Sequence, residues 1–198
     1  MSKVAIVGDA SGTGTFTISA PNGNTDRTLV LPDEAGTVLT SASPVVYPKG
    51  VPAFRAYLSA DQTVTVNVNT KINFNTEVFD TASCFNNTGS AVGGIPAYAF
   101  MPNVAGYYQV NLNLYGNSTS SLSFNYIQIW KNGAENTSVV YGPWVGGTSI
   151  LGNVSTLVYL NGTTDYIEAY GQESGAGTIV FKGGSAFTVF SGVLVRAD

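Results

Sequence analysis

The chain has 198 residues, a formal net charge of −4 and no histidine. Glycine, serine, threonine and asparagine contribute 23, 18, 21 and 17 residues, about 40% of the chain, whereas charged residues contribute 10% and aromatic residues 12%. This composition excludes a disordered chain, which has few aromatic residues, and a coiled coil, which needs Ala, Glu, Lys and Leu in bulk. The absence of histidine excludes His-ligated metals and nucleophiles that a histidine activates.

The charge pattern also limits the partners of the chain. The eight Lys and Arg residues are scattered, and nucleic-acid binding needs clustered cations that displace counterions from phosphates. No run approaches the roughly 18 apolar residues of a membrane span. The five-residue span near the start, residues 3–7, is too short for the hydrophobic region of a secretory signal peptide. We therefore expect no nucleic-acid partner, no membrane insertion and no export by a signal peptide.

Residues 1–43 contain short, strand-like pieces separated by turn residues, at 15–18, 27–32 and 37–40. Strands of this length cannot form a core of their own in a monomer. The pattern predicts a short extended β arm that packs on something else or trimerises. Residues 44–52, with three prolines, then predict an extended linker.

From residue 53 to residue 198 the dominant pattern is an alternation of apolar and polar residues, which is typical of strands with one buried face. Val64, Val66 and Val68 form one such series, and the segment 108–114 forms another. The segment 154–160 is apolar on both faces over its second half, which favours burial against another subunit. Turn residues separate about eight to ten antiparallel strands, so the sequence predicts an all-β sandwich or jelly roll.

Several segments of this head resemble the C1q-like domain, a trimeric jelly roll shared with tumour necrosis factor-like proteins. The most specific segment is 100–110, FMPNVAGYYQV, which is similar to a family strand that carries Pro, Gly and Tyr. Further similar segments follow in the family order: 52–56, 71–80, 129–133, 157–167 and 190–195. The resemblance implies a C1q/TNF-like jelly-roll sandwich that assembles as a homotrimer.

Within these segments some residues are candidates for fold construction and for the trimer seam. Tyr107 and Tyr108 are consecutive in a strand, so we expect one in the core and the other at a subunit interface. Gly106 and Gly192 interrupt strand-like sequence, which indicates a turn, a bulge or a close backbone approach. The full candidate set is Phe79, Gly106, Tyr107, Tyr108, Tyr159, Tyr166, Phe190 and Gly192.

The N-terminal arm has a resemblance of its own. Residues 12–39 are similar to a repeat in tail fibres and other fibrous virion proteins of bacteriophages, although the repeat occurs once here. This resemblance implies a short stalk or a virion anchor that binds other virion proteins, with Phe16, Ile18, Leu29 and Leu31 as anchor candidates. The expected absence of an export signal fits a phage protein that is made in the host cytoplasm.

The two resemblances together predict a trimeric phage virion protein. One role is a short fibre or knob that binds a host surface receptor or glycan, with Tyr141 and Trp144 as residues that could stack on sugar rings. The alternative is a capsid-decorating or head-fibre protein. A secreted C1q-like binding module is a third possibility, but it predicts a signal peptide and a collagen-like stalk.

We expect no enzymatic activity and no cofactor. Glycoside hydrolysis, the reaction of depolymerases that degrade host polysaccharide, needs two opposed carboxylates, and no pair of acidic residues in the head forms a recognisable motif. Asp165 and Glu168 are close in sequence, but their odd spacing places them on opposite faces of a strand. We therefore expect no metal site there. Cys84 is the only cysteine, so the chain has no intrachain disulfide.

Overall fold

The computed structural model describes residues 11–15, 17, 22–26, 28, 51–118, 121–143, 149–175 and 178–198. The chain divides into two units, Met1–Ser43 and Pro44–Asp198. The described residues of the first unit are exposed and belong to no strand. Five candidate residues lie outside the described residues, as do residues 44–50 of the predicted linker: Phe16, Ile18, Leu29, Leu31 and Trp144.

Within the described residues the second unit is built of twelve strands and no helix. None of these residues, accordingly, forms a helix long and apolar enough to cross a membrane. The strands are β1 (Ala53–Tyr57), β2 (Gln62–Val64), β3 (Thr70–Lys71), β4 (Thr76–Asp80), β5 (Ala99–Phe100), β6 (Ala105–Ser118), β7 (Leu122–Lys131), β8 (Ala134–Tyr141), β9 (Ser149–Asn161), β10 (Ile167–Gly175), β11 (Ile179–Phe181) and β12 (Val189–Ala197).

The strands form two antiparallel sheets that pack face to face. In the seven-stranded sheet the order is β2-β11-β6-β12-β1-β4, and β9 pairs with the other edge of β6. The five-stranded sheet has the order β3-β10-β7-β8, with β5 also paired to β10. Strands distant in sequence are therefore neighbours, as in a jelly roll. The all-β jelly-roll prediction is confirmed.

The longest pairing in the molecule joins β6 to β9. It runs from Ala105 opposite Asn161 to Asn117 opposite Ser149. Along β6 the even-numbered residues are buried between the sheets and the odd-numbered residues face outward, because successive side chains of a strand point to opposite faces. Tyr108 is fully buried whereas Tyr107 is 46% exposed. One face of the seven-stranded sheet thus lines the core, and its other face is open to solvent.

Aromatic rings fill the end of the core at which β1 begins. The Phe54 ring centroid lies 4.8 Å from that of Phe85, 4.4 Å from that of Phe100 and 5.0 Å from that of Phe190. Tyr108 meets Phe100 edge to face, at 5.7 Å. These rings are fully or almost fully buried. Large buried rings contribute much of the hydrophobic stabilisation of a small sandwich.

Gly106 and Gly192 sit where neighbouring groups leave no room for a side chain. A Cβ atom on Gly192 would lie 2.8 Å from Cε1 of Phe54, and one on Gly106 would collide with the backbone carbonyl of Arg196. The sequence indicated a turn, a bulge or a close approach at both positions. The structure shows a close approach in each case.

The alternation of Val64, Val66 and Val68 does not continue as one strand. Strand β2 ends at Val64, and Val68 is 49% exposed. Val66 makes only an isolated bridge to Glu173, and Asn67 has φ +59°, a left-handed conformation that asparagine tolerates and that interrupts the alternation before Val68. A local turn therefore overrides the period-two pattern.

Candidate assembly surface

The outer face of the seven-stranded sheet carries a cluster of exposed apolar side chains on β6, β9 and β12. Tyr107 lies opposite Tyr159 in the register of β6 and β9, and Gln109 lies between Leu157 on β9 and Val193 on β12. Leu157 is 59% exposed and Val195 is 60% exposed. We call the set Tyr107, Leu157, Tyr159, Val193 and Val195 the seam patch.

Aromatic and ionic contacts hold one side of the seam patch in place. The Tyr107 and Tyr159 rings meet edge to face, with centroids 5.4 Å apart. The Tyr159 hydroxyl donates to Oδ2 of Asp198 at 3.0 Å, and this hydrogen bond, followed by burial, raises the pKa of Tyr159. Lys131 donates to the Tyr159 backbone carbonyl at 2.8 Å and forms an ion pair with Asp165 at 2.8 Å. Lys131, Asp165 and Asp198 therefore stand beside Tyr159, and the exposed Arg196 lies opposite Tyr107 in the register of β12 and β6.

A belt of amides and hydroxyls crosses the same face next to the seam patch. Gln109 Nε2 donates to Ser155 Oγ at 2.8 Å, and Ser155 Oγ donates to Asn111 Oδ1 at 2.8 Å. Asn113 and Asn153 line a shallow depression of about 200 Å³ in this belt. Because many of these polar atoms already bond to one another, the belt can be covered by another protein surface at a modest desolvation cost.

Beyond the belt, the opposite end of the face is apolar again. Leu151 is 57% exposed, and the Phe187 ring stacks on Tyr115 with centroids 5.2 Å apart. The whole face thus has apolar residues at both ends and neutral polar residues between them. This composition resembles the interior of a protein interface, which is depleted of charged residues and enriched in aromatic residues.

The structure separates the predicted seam candidates into two groups. Tyr107, Tyr159 and Phe79 are exposed, although Phe79 lies on β4, at the end of the sheet path and away from the seam patch. The others are buried or half-buried: Gly106, Tyr108, Tyr166, Phe190 and Gly192. Tyr166 precedes β10, where burial and then Glu168 raise its pKa. The seam role of the exposed residues stays a prediction.

The candidate set omitted three members of the seam patch. Leu157 and Val193 are aliphatic residues at odd-numbered positions of β9 and β12, on the face opposite the buried Val158 and Gly192, and Val195 is an exposed residue at the register shift of β12. In the sequence, the signal that could have identified Leu157 and Val193 is that each is next to a residue expected to face the core. The sequence showed that β9 is apolar on both faces, but it did not show which partner strands complete the patch.

The predicted sugar-contact residue Tyr141 has a structural role. Its hydroxyl donates to the Asn153 backbone carbonyl at 2.6 Å and accepts from the Asn153 N–H at 3.1 Å. Its ring lies so close to Gly152 that a Cβ there would be 2.8 Å from Cε2. Tyr141 therefore ties β8 to β9. Contact with a glycan stays a prediction for Tyr141, as it does for Trp144 outside the described residues.

The outer face of the five-stranded sheet is largely covered by its own side chains. The Trp130 and Tyr170 rings stack with centroids 4.2 Å apart, and Trp130 Nε1 donates to Gln128 Oε1 at 3.2 Å. Lys71 forms an ion pair with the buried Glu168 beside this stack. This sheet therefore has few open apolar side chains at its centre, in contrast to the seam patch.

A second depression, of about 420 Å³, lies between β4 and the loop 83–95. Glu77 lines it, and burial together with the nearby charge of Asp80 raises the pKa of Glu77. Asp80 accepts from the Phe85 N–H at 2.7 Å, and the buried Asn86 side chain donates to three loop carbonyls. The part of the chain that the structure describes contains no cluster of three metal-ligating side chains.

Comparison with known proteins identifies the fold. No family model matches the chain, and no curated protein matches its sequence. Three similar solved structures are PRD1 vertex protein P5 (13% identity, TM-score 0.50, 74% of each chain covered), Eiger TNF from S. frugiperda (10%, 0.52, 74% of this chain and 95% of that one) and murine APRIL at pH 5.0 (7%, 0.51, 73% and 99%). At such low identity the likeness concerns the fold alone. The head has a TNF-like jelly-roll fold, and the predicted resemblance to the C1q/TNF-like domain is confirmed at that level.

Proposed function

We propose that this protein is a structural component of a phage particle, that it assembles as a homotrimer, and that it forms a short fibre or knob whose head binds a host surface receptor or glycan. The seam patch carries this proposal. Its five apolar side chains are exposed on neighbouring strands of the single chain, with one cation, Arg196, opposite Tyr107. Exposed clusters of this kind on soluble proteins mark interaction sites.

The patch suits association of identical chains. In a ring of identical subunits, every subunit uses the same interface and the assembly closes instead of growing into a filament. The C1q-like resemblance implies three subunits. Burying the patch would contribute about 25 cal/mol for each Å² of apolar surface removed from water. A trimer also presents three identical heads, so weak contacts with a host surface are strengthened by avidity.

The phage assignment rests on two likenesses. PRD1 vertex protein P5 is a phage protein with a similar fold, and the likeness covers 74% of this chain. The arm sequence resembles a repeat of phage fibres and would bind other virion proteins. The name of the PRD1 protein also favours a second candidate function, in which the trimer decorates the capsid or forms a head fibre. Both functions place the protein in the virion.

We also propose that the head binds and assembles rather than catalyses. Asp165 and Glu168, close in sequence, are engaged in separate ion pairs with Lys131 and Lys71. Glycoside hydrolysis needs two carboxylates that face each other across a bond. Release of oligosaccharides from host capsule by the purified protein would contradict this proposal.

The trimer can be tested by light scattering on the purified protein at micromolar concentration. The expected mass is three times the 20.6 kDa of one chain. Leu157→Lys places a charge in the seam patch and should shift the protein to a monomer, because a buried unpaired charge is costly. Val140→Lys is the matched control, since Val140 is 50% exposed on β8 of the other sheet. A wild-type monomer, or equal dissociation by both variants, would contradict the proposal.

The two virion roles differ in what the trimer binds. For a receptor-binding fibre, the isolated trimer should bind host cells and compete with infection. For a capsid-decorating protein, it should rebind particles that lack it and leave host cells unlabelled. Electron microscopy of particles labelled with a specific antibody would locate the protein, and unlabelled particles would contradict both roles.

A further inference from the structure

Two polar side chains are buried together between the sheets. Asn125 on β7 and Glu173 on β10 lie directly opposite each other in the strand register, on the inward face, and neither is exposed to solvent. None of their side-chain nitrogen and oxygen atoms has a hydrogen-bond partner: Asn125 Nδ2 and Oδ1, and Glu173 Oε1 and Oε2. Among the described residues these are the buried side-chain polar atoms that lack a partner.

The pair lies at the end of the sandwich away from the seam patch. The β7–β10 register shifts just after Glu173, between Ser174 and Gly175. The Asn67 N–H donates to the Glu173 backbone carbonyl at 2.6 Å, which links β10 to the turn after β2. The backbone of Glu173 is therefore held from two sides, while its carboxyl group points into the core.

No cation among the described residues neutralises this carboxyl group. The inward-facing residues of the strands around this end are uncharged: Val64 on β2, Leu114, Gly116 and Ser118 on β6, Ile127 on β7, and Ile179 and Phe181 on β11. The other titratable groups of these strands and their neighbours are engaged elsewhere. Tyr115, Tyr126 and Tyr170 alternate with the inward residues, the Tyr141 hydroxyl binds the Asn153 backbone, Lys71 pairs with Glu168, and Glu135 accepts from Gln128. The segments 119–120, 144–148 and 176–177, which lie outside the described residues, contain no charged residue in their sequence.

An ionised carboxylate cannot satisfy this arrangement, because it only accepts hydrogen bonds and would leave Asn125 Oδ1 without a donor. A protonated carboxyl group can satisfy it. The two groups form no hydrogen bond to each other in the structure. If their side chains rotate into contact, the O–H can donate to Asn125 Oδ1 while Asn125 Nδ2 donates to the other oxygen, so that all four atoms gain partners. Buried acids without a cation become neutral rather than stay charged. Burial raises the pKa of Glu173, and the Ile179 N–H, which lies near the carboxyl group without completing a hydrogen bond to it, lowers the pKa by less.

We propose that Glu173 is held as a neutral carboxylic acid in the folded head, paired with Asn125, and that its ionisation loosens this end of the sandwich. The sign of the pH dependence follows from the direction of the shift. The contribution of Glu173 to stability is fully present below its unfolded-state pKa and is lost as pH rises through the higher folded-state pKa. Between the two values the unfolding equilibrium constant rises by up to about tenfold per pH unit.

The test compares urea unfolding of the wild type, Glu173→Gln and the control Glu135→Gln over a series of pH values. Glu173→Gln keeps the shape and supplies a donor to Asn125 at every pH. It should remove the rise of up to about tenfold per pH unit that the wild type shows in that window. The control Glu135→Gln, at a residue exposed on β8, should show the same pH dependence of unfolding as the wild type. Identical pH profiles for the wild type and Glu173→Gln would overturn the proposal.

Infrared spectroscopy of the wild type and of Glu173→Gln provides a second readout, in which the variant separates Glu173 from Glu77, whose pKa is also raised. The folded wild type should show the carbonyl stretch of a protonated carboxylic acid at a pH where exposed carboxylates are ionised, and both unfolding and Glu173→Gln should remove the Glu173 band. A folded wild type without this band would refute the neutral acid. Stabilisation of the wild type by added Na⁺ or Ca²⁺, lost in Glu173→Gln, would also refute it, because it would mean that an ionised carboxylate binds a cation.

Discussion

Gly192 provides a direct test of how tightly the aromatic core is packed against β12. A Cβ at this position would lie 2.8 Å from Cε1 and 3.4 Å from Cδ1 of the Phe54 ring. Phe54 already contacts three other rings and is 1% exposed, so it has little freedom to move. Overpacking by one methyl group costs about 1–3 kcal/mol, and a compatible Gly→Ala change stabilises by about 0.4–1 kcal/mol through the unfolded chain. Gly192→Ala should therefore lower the free energy of unfolding by about 1–2 kcal/mol.

The effect of Gly192→Ala on the free energy of unfolding should change sign when the Phe54 ring is removed. In a Phe54→Leu background the methyl group of Gly192→Ala no longer meets the ring, so only the unfolded-state effect of about 0.4–1 kcal/mol should remain. The double-mutant cycle should then give a coupling energy of about 1.5–3 kcal/mol, the difference between the two effects. Urea denaturation at one fixed protein concentration is the assay, because the stability of an oligomer depends on concentration. An equal loss in both backgrounds would show that Phe54 is not the obstacle.

Three further changes test the polar contacts of the head. Tyr108→Phe removes a buried hydroxyl that donates to a backbone carbonyl at 2.6 Å, so the unfolding free energy should fall by about 1 kcal/mol in urea denaturation. Lys71→Met leaves the buried Glu168 without its cation and should destabilise by about 3 kcal/mol, whereas adding Glu168→Met should recover much of that loss; an equally unstable double variant would contradict this. Burial raises the pKa of Asp165, but hydrogen bonds, chiefly from Lys131 and Asn132, lower it overall. The stability that this carboxylate contributes should therefore be lost as pH falls below the ordinary pKa of 3.8. Asp165→Asn should flatten the fall of the melting temperature at acid pH, measured by thermal unfolding.

The period-two pattern succeeded where strands are long and continuous. In β6 the alternation places Tyr108 inside and Tyr107 outside, and the same pattern in β9 predicts two apolar faces. It failed at Val68, because β2 ends at Val64 and Asn67 has a positive φ. Alternation is a property of an extended backbone, so it carries no information once a residue leaves the β region.

The candidate assembly surface was only partly predictable for a related reason. Tyr107 and Tyr159 could be proposed from a family resemblance, but Val195 and Leu157 join them only because β12 and β9 pair with opposite edges of β6. Strand neighbours in a jelly roll are distant in sequence, and no local pattern encodes them. The role predicted for Tyr141 depended on its aromatic type alone, whereas its partner Asn153 lies on another strand.

The sequence by itself determined the chemical character of this protein. Low charge, no histidine and abundant small polar residues, together with the period-two alternation, predict an all-β chain of low surface charge. Residue type and local alternation are enough for this prediction. Only the tertiary structure decided which of those residues meet. Pairing β6 with β9 and β12 gathers the seam patch, and pairing β7 with β10 places Asn125 against Glu173 inside the core. Burial and neighbouring charge act through space, so the sheet register, rather than composition, decides whether a tyrosine is core or surface and whether a glutamate can hold its charge.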